Sequence, residues 1–341
     1  MNLADPQRTT RRDAIKLGLL AGAGLAVGRG APLFGEVATL TQEFMTRPIP
    51  GTGERLPIVG VGTNQWGARS EEEIAPLREI VRLMKETGAP FIDTARIYGR
   101  GRAEEVIGQI LRELDARDDV FIATKVPTAD NREEAVASLE ACMTALRVER
   151  VSAMRVHFLD GVEILLPILR EWKEAGRIRY LGVTTMSAEQ YPELERLIRE
   201  ENLDMIEIDY SVLDRAAAER ILPLAADHGV AVVVARPFAG RRGGVFSLVG
   251  DRPLPDFAGE IGATSWAQLC LKYGLSNPAV TVLIPGTDDP EHMVDNMGAG
   301  RGDLPGHGAA ARPGSGDAQD RDHRLRRGHR GRAQPGAGRV R

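Results

Sequence analysis

The stretch Phe91-Ile92-Asp93-Thr94-Ala95-Arg96-Ile97-Tyr98-Gly99 decides the fold, because a short apolar run here ends in a carboxylate and leads into a polar loop. Similar β-rich runs recur along the chain, and stretches with the periodicity of a helix separate them. Eight strands that alternate with helices predict a parallel sheet, and eight is also the number that closes a (β/α)8 barrel. The predicted strands are Ile58–Val61, Phe91–Asp93, Val120–Thr124, Met154–His157, Tyr180–Val183, Met205–Ile208, Ala231–Ala235 and Val280–Ile284.

Amphipathic stretches fill the intervals between these strands. In Glu72–Glu86 the apolar side chains recur on one face, and Arg132–Leu146 and Ala188–Glu201 show the same pattern. An open, doubly wound sheet is the alternative, but no G-x-G-x-x-G turn follows the first strand. We therefore predict an α/β fold, a single-domain (β/α)8 TIM barrel over residues 46–300, with a small hairpin at Arg47–Pro57 across its floor.

Composition and charge narrow the classes of function. The chain is 43% hydrophobic and 27% charged, which is typical of a globular protein. Its net charge is −4, but residues 301–341 hold ten Arg and four Asp, a net +6, so residues 1–300 carry −10. An acidic body has no electrostatic reason to bind nucleic acid. The two cysteines, Cys142 and Cys270, are too few for a disulfide framework or a cysteine-based metal site, and we expect no bound metal.

Ionisable side chains stand at the ends of three successive predicted strands. Asp93 and Lys125 end the second and third strands, His157 ends the fourth, and Tyr98 lies in the loop after Asp93. In a barrel these ends face one shared site. A lysine can favour the phenolate of a tyrosine, an aspartate can hold that lysine, and a histidine can orient a carbonyl group. Together these residue types indicate carbonyl reduction with Tyr98 as the proton donor.

The same residues carry a resemblance to the aldo/keto reductase family. Phe91–Gly99, followed by Glu104-Glu105-Val106-Ile107-Gly108, resembles the family signature around its catalytic Asp and Tyr, and Ala123-Thr124-Lys125 resembles its lysine strand. The resemblance covers residues 46–296 and implies an NAD(P)H-dependent oxidoreductase that reduces an aldehyde or ketone, with NADPH favoured and NADH possible. The implied catalytic tetrad is Asp93, Tyr98, Lys125 and His157.

The implied cofactor positions match the family pattern less closely. Thr184 and Thr185 stand in the place of the turn that binds the nicotinamide amide, and Glu207 stands where the family usually has Gln. Gly286 and His292 replace a Lys and an Arg that commonly hold the 2′-phosphate, although helix-terminal amides after Pro285 could still bind phosphate. The full set that the resemblance assigns to the cofactor is Gly62, Thr63, Thr184, Thr185, Glu207, Arg236, Phe238, Pro285, Gly286, Thr287, His292 and Asn296.

The two ends of the chain differ in character from its body. Arg11-Arg12 and the weakly apolar run Leu17–Gly28 resemble a twin-arginine signal peptide, as in a bacterial branch of the same family. We expect residues 1–38 to be signal peptide and linker and no stable membrane span to form. We expect the twin-arginine translocation machinery to export the protein, to the periplasm or otherwise out of the cytoplasm. Residues 301–341 form a Gly/Arg-rich tail, and this composition indicates disorder or a frameshifted end.

Two other classes of function stay open. A non-catalytic NADPH-binding sensor or regulatory subunit could use the same barrel, but it would have no need for the acid Tyr98 and its lysine. A lyase or isomerase could use Lys125 as a Schiff base, but this leaves the Asp93–Tyr98 spacing unexplained. If the protein is a reductase, we expect its binding partner to be a small-molecule carbonyl substrate.

Overall fold

A computed structural model describes residues 43–88, 90–240 and 244–306. Within them a short hairpin precedes eight strands that alternate with helices. The strands are β1 (Thr46–Pro48), β2 (Arg55–Pro57), β3 (Val61–Gly62), β4 (Phe91–Asp93), β5 (Phe121–Val126), β6 (Val151–Val156), β7 (Ile178–Thr185), β8 (Met205–Asp209), β9 (Ala231–Ala235) and β10 (Val280–Leu283). The helices are α1 (Glu71–Lys85), α2 (Arg102–Glu113), α3 (Arg132–Leu146), α4 (Val162–Glu174), α5 (Tyr191–Glu200), α6 (Ile221–Asp227), α7 (Gly244–Val249), α8 (Phe257–Glu260), α9 (Trp266–Leu275) and α10 (Pro290–Gly298).

The eight strands from β3 to β10 form one parallel sheet in sequence order. Parallel bridges between Val59 and Leu283 and between Gly62 and Gly286 join the first strand to the last. The predicted (β/α)8 barrel is therefore confirmed, and the alternative of an open, doubly wound sheet is wrong. A closed sheet leaves no unpaired edge strand, and its helices cover the outer face.

Most of the predicted boundaries differ from the observed ones by one to three residues; β6, for example, begins at Val151 rather than at Met154. Two of the differences concern the first strand and α5. The first strand was expected at Ile58–Val61 but pairs regularly only at Val61–Gly62, with Val59 in an isolated bridge. The stretch Ala188–Glu201 is divided into a 3-10 turn at Ala188–Gln190 and the helix α5. Pro192 lies in the first turn of α5, where a missing N–H costs no hydrogen bond, so it favours a helix start at that point.

The predicted floor hairpin is formed by β1 and β2, which pair antiparallel. Arg47 anchors it, because its guanidinium donates to the carbonyl oxygens of Leu275 (2.5 Å), Asn277 (3.0 Å) and Val280 near the start of β10. Above the hairpin, the inward side chains of the strands fill the barrel with a stack of rings. The Phe91 and Phe121 rings lie 5.0 Å apart, and Tyr180 stacks 5.9 Å from Phe121. This apolar plug closes the lower half of the barrel and leaves the carboxyl ends of the strands for polar groups.

The described chain continues to residue 306 along the outside of the barrel. Lys272 of α9 is fully buried, and its ammonium donates to the carbonyl oxygens of Arg301 (2.6 Å) and Asp303 (2.9 Å). Burial lowers the pKa of Lys272 to about 8. The predicted signal peptide and linker, residues 1–38, lie outside the described residues. Of the predicted tail, residues 301–341, the structure describes only 301–306, where Lys272 binds two backbone carbonyl groups. Among the described helices, none combines the length and the hydropathy that a membrane-spanning segment requires.

Candidate active site

The loop between β4 and α2 brings Tyr98 over the ends of the neighbouring strands. Its backbone continues the sheet, because the N–H of Thr94 donates to the carbonyl oxygen of Ala123 and the N–H of Arg96 to that of Lys125, each at 2.9 Å. Tyr98 then opens a short 3-10 turn. Its half-buried ring therefore lies above β5, although Tyr98 and Lys125 belong to different elements of the chain.

A buried carboxylate holds this loop from below. Glu104 is fully buried near the start of α2, where its Oε1 accepts from the Thr124 hydroxyl at 2.7 Å and its Oε2 lies 3.6 Å from the Arg96 guanidinium. Burial raises the pKa of Glu104. The Arg96 guanidinium also passes over Gly101, where a Cβ atom would lie 1.9 Å from Arg96 Nη1. Gly101 has a φ of 91°, so the backbone conformation favours glycine here.

The structure brings together the four predicted catalytic residues. The ammonium of Lys125 lies 2.5 Å from Asp93 Oδ1 and 5.4 Å from the centre of the Tyr98 ring. The rings of Tyr98 and His157 meet edge to face, with centres 5.8 Å apart. Asp93 and Lys125 are buried almost completely, and His157 is 8% exposed. A phenol, an ammonium and an imidazole thus lie close together at the mouth of the barrel.

Two further charged residues lie in the same buried layer. Arg155 is fully buried in β6, two residues before His157, and its guanidinium contacts both Asp93 and Glu207. Glu207 of β8 also binds the Lys125 ammonium, at 2.9 Å from Oε2 and 3.2 Å from Oε1. Sequence reasoning missed Arg155, and it placed Glu207 with the cofactor rather than with Lys125. The signal for Arg155 was present, because residues two apart in a strand share a face and His157 had been placed at the site.

The charges in this layer determine one another's protonation. Burial acts to lower the pKa of Lys125, but the charges of Asp93 and Glu207 outweigh it and the pKa is raised. The pKa of Asp93 is raised by burial and by the charge of Glu207. Burial also acts to raise the pKa of Glu207, but Lys125 and Arg155 together lower it. Lys125 is therefore a firmly protonated cation.

Tyr98 and His157 are perturbed mainly by burial. The pKa of Tyr98 is raised, because burial outweighs the opposing charge of Lys125 and the charges of Asp93 and Glu207 add to it. The predicted acidifying effect of Lys125 is thus present but is not the dominant one. Burial and the charge of Lys125 lower the pKa of His157 to about 3, so its imidazole is neutral near pH 7. Its Nδ1 finds no hydrogen-bond partner among the described residues.

The predicted cofactor residues line the same end of the barrel in part. The N–H of Gly62 donates to the carbonyl oxygen of Pro285 at 3.0 Å, and Gly62 bridges to Gly286, so the first and last strands meet here. Thr184 and Thr185 end β7; the Thr184 hydroxyl is buried and has no hydrogen-bond partner among the described residues, whereas that of Thr185 donates to Gln190 at 2.6 Å. The hydroxyl of Thr63 donates to the Asp93 carbonyl oxygen at 2.9 Å.

The other predicted cofactor residues are spread around the rim. Arg236 follows β9 with a φ of 46°, and its Nε donates to Asp209 Oδ1 at 2.7 Å. The ring of Phe238 packs 5.0 Å from that of Phe246. On α10, His292 is exposed and Asn296 is buried, and the Thr287 hydroxyl accepts from the N–H of Asp289 at 3.1 Å just before this helix.

A large cleft of about 1280 Å³ lies at the opposite end of the barrel, where β5, β6 and β7 begin. Arginines and carboxylates of both signs line it, among them the pairs Arg177–Glu140 and Arg179–Glu54. It contains none of the predicted catalytic residues. Size is therefore a poor guide to function here, and the perturbed groups at the carboxyl ends of the strands mark the site instead.

Comparison with known proteins identifies the type of barrel. The model of the aldo/keto reductase family matches residues 58–306. An aldo-keto reductase of Bacillus subtilis is 28% identical over 203 residues, which cover 54% of this chain and 60% of that protein. An Arabidopsis thaliana protein named "probable voltage-gated potassium channel subunit beta" is 26% identical over 289 residues, covering 70% of this chain and 87% of that protein.

The fold also matches solved structures. An aldo-keto reductase from Klebsiella pneumoniae, crystallised in complex with NADPH, superimposes with a TM-score of 0.62 and 25% sequence identity. The superposition covers 82% of this chain and 94% of that one. With a family match over most of the chain, a closed eight-stranded barrel and the four predicted catalytic residues close together, the chain belongs to the aldo/keto reductase family of oxidoreductases.

Proposed function

We propose that this protein reduces an aldehyde or ketone to the alcohol with NADPH as the hydride donor and Tyr98 as the general acid. The observation that carries the proposal is the placement of Tyr98 between the protonated Lys125 and the neutral His157. Carbonyl reduction develops negative charge on the substrate oxygen, and a positioned acid must neutralise it.

Each residue has one task in this proposal. The Tyr98 hydroxyl donates its proton to the carbonyl oxygen as the hydride reaches the carbonyl carbon. The charge of Lys125 stabilises the phenolate that remains, and Asp93 holds the ammonium at 2.5 Å. His157 is neutral, so one of its ring nitrogens can donate a hydrogen bond to the substrate oxygen and orient it. The reduced nicotinamide supplies the hydride when it is bound.

The residues at the barrel mouth fit a dinucleotide. The buried hydroxyls of Thr94 and Thr184 and the Nδ1 of His157 have no hydrogen-bond partner among the described residues, and buried polar atoms of this kind are normally satisfied by a ligand or water. We propose NADPH because the Klebsiella pneumoniae relative was crystallised with it, and NADH stays possible.

The experiment is a screen of aldehydes and ketones with NADPH, repeated with Tyr98→Phe. The variant keeps the ring but loses the proton donor, so its turnover should fall by about 10²–10⁴-fold. Binding of NADPH, followed by its fluorescence, should stay close to that of the wild type. A Tyr98→Phe protein with full activity would show that the proton comes from another group and would overturn the proposal.

The same screen separates the two alternatives. A sensor subunit would bind NADPH but turn over no carbonyl compound. This alternative stays open because the chain is similar to the Arabidopsis thaliana protein named as a potassium channel subunit beta. A Schiff-base enzyme needs a neutral lysine, whereas two carboxylates hold Lys125 protonated. Borohydride should therefore trap no adduct on Lys125.

A further inference from the structure

Four charged side chains form a closed network inside the barrel, below Tyr98. Two are carboxylates, Asp93 and Glu207, and two are cations, Lys125 and Arg155. Each of the four is at most 2% exposed. Each cation contacts both carboxylates, so no member has an exclusive partner. Because charges buried in a protein interior interact strongly, a change in one member is felt by the other three and by any polar group above them.

The arrangement around Lys125 raises a question of charge. An ammonium next to Asp93 alone would form a neutral pair. With Glu207 also bound to it, at 2.9 Å, the three groups would carry a net charge of −1. That excess negative charge would oppose the formation of a phenolate at Tyr98. Arg155 removes it, because its Nη1 lies 2.8 Å from Glu207 Oε2 and its Nη2 contacts Asp93.

We propose that Arg155 is a positioning residue for proton transfer at Tyr98, where it neutralises Glu207 so that the charge of Lys125 still acts on the phenol. This inference rests on the proposed function of Tyr98 as the general acid. Arg155 acts through Glu207 and Asp93. The Arg155–Glu207 pair crosses from β6 to β8, past β7, so it also fixes the side chains that hold Lys125 in place.

Few titratable or charged groups face Tyr98, so the direction in which each variant shifts the pKa of Tyr98 can be worked out. They are the four members of the network and His157, which is neutral near pH 7. Removing the charge of Glu207 leaves the network at +1, which favours the phenolate and lowers the pKa of Tyr98. Removing Arg155 as well returns the network to zero.

The test compares three variants with the wild type by the pH dependence of kcat. Reduction needs protonated Tyr98, so kcat should fall at alkaline pH as the phenol ionises. In Glu207→Gln this fall should move to lower pH by about one unit. In the double variant Glu207→Gln with Arg155→Met, it should return towards the wild-type position. Glu207→Gln with Arg155→Lys keeps the second cation, so it should stay at the lower pH.

A control variant and a second measurement separate charge from packing. Glu195 lies on α5, outside the barrel interior, and its buried carboxylate forms an ion pair with Arg220. The control variant Glu195→Gln removes that charge and should leave the pH dependence of kcat unchanged. Phenolate formation at Tyr98 can also be measured without a substrate, by following the ultraviolet absorbance of each variant as the pH is raised. The same titration of that variant with Tyr98→Phe added is subtracted, which leaves the signal of Tyr98. Thermal unfolding identifies any variant that does not fold.

The outcomes are distinguishable. If neither kcat nor the phenolate titration moves in Glu207→Gln, or if Arg155→Met fails to reverse the shift, the inference is wrong. Should the double variant not fold, the comparison of Glu207→Gln with Glu195→Gln still decides. If Tyr98→Phe stays active while the titration shifts as described, the proposed function fails but the electrostatic role of Arg155 stands.

Discussion

At the residue scale, the site depends on groups whose protonation the barrel interior has altered. His157 is the clearest case, because burial and the nearby cations keep it neutral down to a pKa of about 3. The exposed ring of Phe158 stacks on it with centres 4.4 Å apart and planes 2° from parallel. This stack fixes the orientation of the imidazole, whose plane lies 82° from that of the Tyr98 ring.

The lowered pKa of His157 predicts a pH dependence of stability. The unfolded chain takes up a proton on this residue near pH 6.5, whereas the folded protein does so only near pH 3. Between these values the unfolded state binds more protons, so the free energy of unfolding falls as the pH is lowered. In His157→Asn this contribution is absent. Urea unfolding at pH 7 and pH 5 should show a smaller loss of stability in the variant than in the wild type.

The matched control for that measurement is His228→Asn, since His228 is exposed just after α6. Its loss of stability between the two pH values should equal that of the wild type. Equal losses in wild type and His157→Asn would show that the imidazole is not held neutral in the folded protein.

At the scale of the elements, close contacts between backbones decide how the helical ring packs. Gly108 lies in the middle of α2, where a Cβ atom would meet the Ala145 carbonyl oxygen at 2.5 Å and Leu146 at 2.7 Å. These atoms belong to the last turn of α3, so glycine lets the two helices approach. In the sequence Gly108 was only part of a stretch that resembles a family motif. The close contact between α2 and α3 explains why glycine occupies this position.

Gly108→Ala should therefore destabilise the protein in spite of better helix propensity. Alanine in a helix gains about 1 kcal/mol over glycine, but forcing a methyl group into a filled space typically costs about 1–3 kcal/mol. Gly259→Ala in α8 is the control, because nothing lies within 4 Å of its added Cβ. Urea unfolding should show a loss of stability for the first variant and a gain of up to about 1 kcal/mol for the second, where only the helix propensity changes. A stabilised Gly108→Ala protein would mean that α2 and α3 move apart freely.

At the scale of the whole molecule, the N-terminal sequence bears on the cellular location of the protein. The Arg11-Arg12 pair leads us to propose export by the twin-arginine machinery, which carries proteins already folded. Export in the folded state would let the protein carry out with it a dinucleotide that it had bound in the cytoplasm. This residue pair lies outside the described part of the chain, so the proposal rests on the sequence alone.

Replacing both Arg11 and Arg12 with Lys should block that export while the net charge stays the same. The expected result is an unprocessed, full-length protein that accumulates in the cytoplasm, detected by fractionation and mass. Arg8→Lys serves as the control, because it makes the same exchange outside the pair, and it should be processed normally. Normal processing of the double variant would exclude the twin-arginine route.

The sequence by itself determined the class of fold and the position of the four predicted catalytic residues at one end of the barrel, for a physical reason. Period-two strands, helical spacing and polar residues at strand ends are local patterns, and in a parallel barrel the carboxyl ends of all strands face one site. Asp93, Tyr98, Lys125 and His157 were therefore predictable from their places along single strands and loops. The boundaries of β3 and α5 were less so, because pairing partners and the proline in the first turn of α5 decide them.

Only the tertiary structure decided which charges meet. Arg155 and Glu207 lie on strands that are not neighbours in the sheet, and their contact depends on closure of the barrel and on the register of three strands. The same closure decides that Glu207 binds Lys125 and that burial raises the pKa of Tyr98. Distances across a barrel interior follow from the packing of the whole molecule, and no local pattern in the chain encodes them.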